Sequence, residues 1–280
     1  MGLTIRNITM DDRAAIFGWV EALGWNPGEK DGECLLATDP DGMFMAERDG
    51  VAVGCATAIA YDEHFGFVGA LVVDPAMRSK GPATMLAIYR HVLAYLGVRN
   101  GAMDAMPATQ KFFADLGCVP VYRHWRFEGV LPIGQPAGTV IPLSEVSFEA
   151  LCDYDAAQFP ARRERFLRVW LEAYGSGGRA CVRDGRLAGF GVLRRARSGW
   201  RVGPLLADDP EAAEALLRTM STMSRGEQVA LDVPEANPAA MTLVKRLGLV
   251  GRVETTRMVK PRGVDMTPDR VYSIASYEFG

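Results

Sequence analysis

Histidine is scarce in this chain of 280 residues: His64, His91 and His124 are the only three. Their spacing makes no metal-ligand set, so no metal is expected. The five cysteines, Cys34, Cys55, Cys118, Cys152 and Cys181, are scattered, odd in number and free of any C-x-x-C pattern. That excludes a disulfide framework or a zinc ribbon and favours reduced thiols in a cytoplasm. No stretch reaches the roughly 18 apolar residues of a membrane span. Met1 to Asp12 lacks the apolar region of a signal peptide, and the residues after Gly2 miss the myristoylation pattern. Basic excess is absent too. The net charge of -3 gives no field to draw the chain to nucleic acid or an anionic membrane. With 49% hydrophobic and 23% charged residues, the composition is that of a globular protein of one large or two medium domains.

What is present is internal repetition. Arg48-Asp49-Gly50 with Gly54 is matched by Arg183-Asp184-Gly185 with Gly189, each between apolar stretches as a hairpin turn would be. Ala102-Met103-Asp104 is matched by Ala230-Leu231-Asp232, and Leu116-Gly117 by Leu247-Gly248, in the same order. The first copy is the longer between its turn and its Asp. The extra length falls where it carries Asp74-Pro75-Ala76-Met77-Arg78-Ser79-Lys80-Gly81-Pro82-Ala83. The second copy has Asp208-Asp209-Pro210 there, acids that stabilise a helix start and repel a phosphate.

That first-copy stretch reads as a strand (Phe67 to Val73), a Gly-containing turn, then a helix (Ala83 to Leu96). Backbone N–H groups at a helix start have no internal partner, and the helix dipole adds positive potential. Arg78 and Lys80 stand beside them, which makes an anion cradle. Alone, the stretch reads equally as a strand-to-helix turn with exposed basic residues. Periodicity elsewhere predicts a helix over Asp11 to Leu23 and strands over Met43 to Ala46, Val51 to Tyr61 and Gly101 to Asp104. It also predicts a helix over Ala108 to Leu116, a linker over Gly129 to Thr139, a helical region from Phe148 to Tyr174 and a strand-like Val271 to Phe279. Strands interleaved with helices give an α/β or α+β fold.

The turn resembles the acyl-CoA pyrophosphate loop of the GNAT acetyltransferase superfamily. The likeness extends over the chain through Gly24-Trp25-Asn26-Pro27-Gly28 with Asp31, Phe65-Gly66-Phe67, Asp104 and Tyr122-Arg123-His124-Trp125-Arg126-Phe127. In the second half it is carried by Val202 to Asp208, Leu231 to Asn237, Thr256-Arg257-Met258 and Ser276-Tyr277-Glu278-Phe279-Gly280. The resemblance implies two tandem GNAT-like domains, each a mixed, mostly antiparallel sheet flanked by helices. They would be an acetyl-CoA-binding domain over residues 1–130 and a divergent YitH-type domain over 140–280 without the phosphate turn. It implies direct acetyl transfer from acetyl-CoA to a small amine; the alternative is a non-catalytic acyl-CoA sensor or interaction module.

Under that resemblance Leu71, Val72 and Val73 would hold pantetheine and the thioester. Arg78, Ser79, Lys80, Gly81, Pro82, Ala83 and Thr84 would hold the pyrophosphate, with Pro82 unable to donate. Members of the superfamily often carry a Glu on the strand before the turn, and Phe67 to Val73 has no acid. Asp104, Glu63, Asp62 and His64 are the candidate bases. Asp104 is favoured for its strand-end position, its alternative being a buried acid bonded to loop amides. The usual Tyr four residues before the Leu-Gly glycine is Phe113 here, so Tyr122 or water would be the general acid. Trp25, Asp31 and Trp125 are candidates to receive a cationic amine, or are core and surface residues. Some superfamily members bring a C-terminal carboxylate to the site, a role that would fall to Gly280.

Overall fold

A computed structural model describes residues 2–134, 139–260, 266 and 268–280, with the side chains of Phe17, Glu21, Arg78, Ser79 and Lys80 outside that set. The first half runs β1 (Leu3–Asn7), α1 (Arg13–Ala22), α2 (Asp31–Thr38), β2 (Met43–Arg48), β3 (Val51–Ala60) and β4 (Phe65–Val73). It continues through α3 (Gly81–Leu96), β5 (Asn100–Ala105), α4 (Pro107–Asp115) and β6 (Val119–Val130). The second half runs β7 (Val140–Pro142), α5 (Phe148–Ala156), α6 (Glu164–Tyr174), β8 (Gly178–Arg183), β9 (Arg186–Arg195) and β10 (Trp200–Ala207). It closes with α7 (Pro210–Ser224), β11 (Gln228–Pro234), α8 (Pro238–Arg246), β12 (Val250–Val259) and β13 (Val271–Ser273). The result is a mixed α/β fold with one large sheet flanked by helices.

The repeated sequence signals make repeated local structure. Asp49-Gly50 and Asp184-Gly185 all have positive φ, and they close the β2–β3 and β8–β9 hairpins between register partners Arg48–Val51 and Arg183–Arg186. Two positive φ values in a two-residue turn match the twist of the flanking strands, and Asp-Gly tolerates them best. Helices α4 and α8 both begin at a proline and are followed by a glycine at positive φ, Gly117 and Gly248. That is the expected asymmetry of helix ends.

Strand order across the sheet is β1-β2-β3-β4-β5-β12-β6-β11-β10-β9-β8-β7, with β13 on β10. The halves therefore exchange their last long strands. β12 pairs antiparallel with β5 of the first half, β6 pairs antiparallel with β11 of the second, and β6 and β12 pair with each other in the middle. Met258 of β12 joins the first-half core around Ile88, Tyr89 and Val92, and Phe127 of β6 joins the second-half core around Leu216, Met220 and Leu231. Burial of such side chains is worth about 1.5–3 kcal/mol each, so each half takes part of its core from the other.

The predicted strand from Phe67 begins two residues earlier, and the Phe148 to Tyr174 region is two helices separated around Pro160. β1 and α2 were not expected. Gly129 and Val130 belong to β6 rather than to the linker, of which Gln135 to Gly138 lie outside the described residues. Only Val271–Ser273 of the predicted final strand is a strand; after it Ser276 accepts backbone bonds from Phe279 and Gly280, which turns the chain.

Candidate functional site

Two strand pairs in the sheet are parallel, β4–β5 and β10–β11, and both part before their ends. On the first, register partners run from Phe65–Asn100 to Val68–Met103 and then stop. There β4 bulges. Its register with β3 shifts between Thr57–Gly69 and Cys55–Val72, and Ala70 sits at φ 43°. A bulge bends the strand and re-aims its groups, and a non-glycine at positive φ is held only by its surroundings. The gap is an open cleft of about 550 Å³, solvent at its mouth included, lined by Gly69, Ala70, Leu71, Met103, Asp104 and Phe113, among others. At the far end of β4 a 3₁₀ segment, Pro75–Lys80, runs into α3, whose first residue is Gly81.

Beyond this gap stands the start of α3, where unpaired backbone N–H groups favour a phosphate. Thr255 Oγ1 is buried, has no protein partner and lies on a residue lining the cleft. A Cβ on Gly81 would meet nothing within 4 Å, so the turn is open above the backbone. Leu71 lines the cleft, while Val72 packs with Trp19 and Met45 in a small core cluster. Pro82 and Ala83 are exposed, and Thr84 is buried with its hydroxyl unpartnered. The side chains of Arg78, Ser79 and Lys80 lie outside the described set.

The equivalent gap of the second half is filled. β10 and β11 part after Val202–Leu231, and the chain from Ser273 to Ala275 lies between them. Ser273 Oγ donates to the Val202 carbonyl at 2.8 Å and accepts from the Asp232 amide at 3.0 Å, and the Ile274 amide donates to the Asp232 carbonyl at 3.0 Å. A Cβ on Gly203 would stand 2.3 Å from the Ile274 carbonyl oxygen. Asp209 caps α7 through the Ala212 amide, so that helix start already holds a carboxylate.

Beyond that plug the same segment enters the first-half cleft. Tyr277 and Glu278 line it, and the Glu278 backbone is so close to Gly69 that a Cβ there would lie 2.7 Å from Glu278 Cα. Tyr61 Oη donates to the Phe279 carbonyl at 2.6 Å, and Arg163 donates to the Phe279 and Gly280 carbonyls at 3.3 and 3.0 Å. The Phe279 ring is buried against Phe166 and Trp170. Gly280 packs on Phe67 and Phe159, away from the cleft lining.

A larger hollow, about 1060 Å³ with its open mouth, adjoins the cleft and shares Trp25, Ala70 and Glu278 with it. Its walls are Ile8, just after β1, and apolar residues of α1, α2, β2 and β3, with Arg13, Glu29 and Glu33 exposed at the rim. Burial pushes the Glu278 carboxyl above its ordinary range, against the opposing effect of the Ser276 hydroxyl bonded to it at 2.6 Å.

Of the expected catalytic residues, Asp104 lines the cleft, while Glu63 and Tyr122 do not. Asp104 is a register partner of Arg257 and accepts from it at 2.7 and 2.9 Å, with His124 Nδ1 3.0 Å away. Burial raises its pKa, but Arg257 and then His124 outweigh that and hold it at about 2. A carboxylate so stabilised is a poor proton acceptor, and the ion pair with Arg257 gives Asp104 a structural role, which argues against it as the base. Glu63 is at the exposed β3–β4 turn beside His64, with Asp62 bonding the turn amides. None of the three lines the cleft or the hollow. Tyr122 is half-buried beside Arg257 and lines a separate small cavity with Arg163 and Gly280, away from the cleft where an acid would act. Trp125 packs against the second-half core, with Arg123 over its ring.

Asp31 lines the hollow but is spent: it accepts from the Gly28 amide, Tyr174 Oη and Arg194, tying α2 to α6 and β9. Among the expected acceptor residues, Trp25 alone stands at the junction with its role open. Glu278 is not among the site residues the sequence points to, although it stands in the closing motif Ser276 to Gly280. No spacing rule joins a residue there to a strand some two hundred positions earlier. Among the described residues no cluster suits a metal ion, and no helix is long and apolar enough to cross a membrane.

Comparison with known proteins agrees with this geometry. The family model for the Acetyltransferase (GNAT) family matches residues 7–117, and that for an Acetyltransferase (GNAT) domain matches residues 151–273. A holothin acyltransferase of Pseudoalteromonas sp. (strain SANK 73390) is 22% identical, with 99% of this chain and 94% of that protein covered. The crystal structure of an acetyltransferase from Pyrococcus horikoshii superposes with a TM-score of 0.83 at 23% identity, covering 100% and 96% of the two chains. A tandem GNAT protein from the clavulanic acid biosynthesis pathway superposes at 0.65 and 16% identity, covering 94% and 100%. With one GNAT family match in each half, a split parallel pair in each and an open cleft at the split of the first, the chain belongs to the GNAT family as a tandem acyltransferase.

Proposed function

We propose that this acyltransferase uses acetyl-CoA and passes the acetyl group directly to the nitrogen of a small amine. The observation that carries the reading is the junction of the β4–β5 cleft with the adjoining hollow at Trp25, Ala70 and Glu278. Two substrates entering from the two sides would meet at the β4 bulge, where a backbone N–H near Ala70 or Leu71 can face a developing oxyanion. Residues 71–73 would hold the pantetheine arm, and the first turn of α3 the pyrophosphate. Phe113, buried against Tyr89, replaces the general acid. A thiol leaving group of pKa near roughly 8.5 departs without one. Support also comes from the relative named for acyl transfer to holothin. The sensor alternative rests on the missing acid of β4 and on Phe113 in place of a Tyr; against the first ground stands an acidic residue, Glu278, in the lining of the junction. Residues 1–130 and 140–280 are proposed as the two domains, with cofactor binding in the first.

The test is calorimetric titration with acetyl-CoA on the wild type and on Gly81→Glu. Nothing lies within 4 Å of a Cβ at Gly81, so the fold tolerates the change. A carboxylate at the helix start repels phosphate, and affinity is expected to fall by about tenfold or more, about 1.4 kcal/mol. Wild type that takes up no acetyl-CoA would overturn the reading.

A further inference from the structure

From the junction we infer that Glu278, delivered by the second half, is the general base of the first-half site, and that the acceptor is a primary amine on an apolar body. The inference rests on the acetyl-transfer reading above and adds to it the proton acceptor and the acceptor class.

Three observations carry it. Glu278 lines both the cleft and the hollow, and among the acidic residues of the two linings it is the one they share. The other acids there are engaged or peripheral: Asp104 by Arg257, Asp31 by Gly28, Tyr174 and Arg194, and Glu29 and Glu33 at the exposed rim. The carboxylate is also held in place, since Ser276 Oγ donates to Glu278 Oε2 at 2.6 Å and accepts from its backbone amide at 3.1 Å. The charged groups acting on it are Asp31 of α2, Arg201 of β10 and Arg126 of β6, the acid raising and the two cations lowering its pKa after burial has raised it.

The acceptor class follows from the walls. Ile8, Ile16, Val20, Leu35, Leu36 and Met43 surround the hollow. A second ammonium or a carboxylate held among these side chains, away from the charged rim, would lose its water with no ion pair to replace it. Thr57 Oγ1 is buried in the same lining with no protein partner, and it suits one N–H of an amine. In the step, the amine nitrogen bonds to the acyl carbon, the carbon–sulfur bond breaks, the nitrogen's proton passes to Glu278, and the thiolate leaves to be protonated. The products are an amide and free thiol.

The test measures initial rates with acetyl-CoA against phenethylamine, cyclohexylmethylamine and 1-naphthylmethylamine, and against spermidine, glucosamine and lysine. Amine binding without cofactor is followed by Trp25 fluorescence, with Trp25→Phe as control. Wild type is expected to acetylate the apolar set. In Glu278→Gln, kcat should fall about 10²–10⁴-fold with acetyl-CoA affinity unchanged, and the acid limb of its pH profile should be lost. Ser276→Ala, which removes a bond favouring the carboxylate, should shift that limb to higher pH. Preference for the polar set would overturn the acceptor class. A Glu278→Gln enzyme with an unchanged rate and acid limb would overturn the base. Acetyl-CoA binding with no transfer to either set would overturn this inference together with the transfer reading beneath it, whereas failure of the variant tests alone leaves that reading standing.

Discussion

Gly69 shows how narrow the tolerances at the junction are. Its missing side chain leaves room for the Glu278 backbone and for Thr57 Oγ1, which a Cβ would approach to 2.7 and 2.9 Å. Backbone cannot swing aside as a side-chain tip can, so Gly69→Ala must displace the closing segment, the β4 bulge or both. Misplacement of about 1 Å at a reacting centre can cost about 10²-fold in rate. Turnover of Gly69→Ala is expected to fall by that order and its thermal midpoint to drop as well, since overpacking costs about 1–3 kcal/mol, a comparison of kinetics with calorimetry. A variant with normal turnover would show that Glu278 need not sit where it does. Asp104 carries the opposite lesson. Because Arg257 depresses its pKa, it contributes stability that is present above the unfolded value near 3.9 and lost as pH falls toward about 2. Asp104→Asn is expected to remove that acid-range dependence and, by leaving Arg257 buried and unpaired, to cost about 3–5 kcal/mol. Urea midpoints at pH 3 and pH 7 check it. Equal stability of mutant and wild type would contradict the structural role.

At the scale of elements, much was legible in advance because the signals are local. The Asp-Gly turns, the prolines opening α4 and α8, and the glycines after them each specify a backbone angle within a few residues, and the structure has them where the repeats put them. The cleft was legible for the same reason, since strand, turn and helix are consecutive. The missed α2 holds Asp31, Cys34 and Leu35 in place through contacts with α6, in the other half. Its eight residues carry no side-chain cap, so nothing short-range announced it. Asp104 was misread because a buried acid and a catalytic acid look the same in a sequence. Only the register of β12 against β5 places Arg257 opposite it. The twin of that pair is Asp232 opposite Arg126, bonded at 2.7 and 3.2 Å, with Arg201 also on Asp232. The Asp that marks each repeat is thus gripped by an arginine on the strand lent by the other.

For the whole molecule, this reciprocity decides cooperativity. Removing residues 140–280 would leave β5 without β12 and the first-half core without Met258. The two halves are therefore expected to unfold in one calorimetric transition, and Arg126→Ala, made in the first half, should lower the melting of the second-half core equally. Two resolved transitions would refute the mutual dependence. The closing segment has a consequence of its own. Residues 273–275 fill the split between β10 and β11, and residues 277–278 line the one between β4 and β5. A single peptide thereby closes the opening of one half and, under the proposal above, equips that of the other. Loosening it would do two things in one stroke, uncovering the second-half gap and withdrawing Glu278 from the first, so neither half could be made independent by substitutions confined to itself.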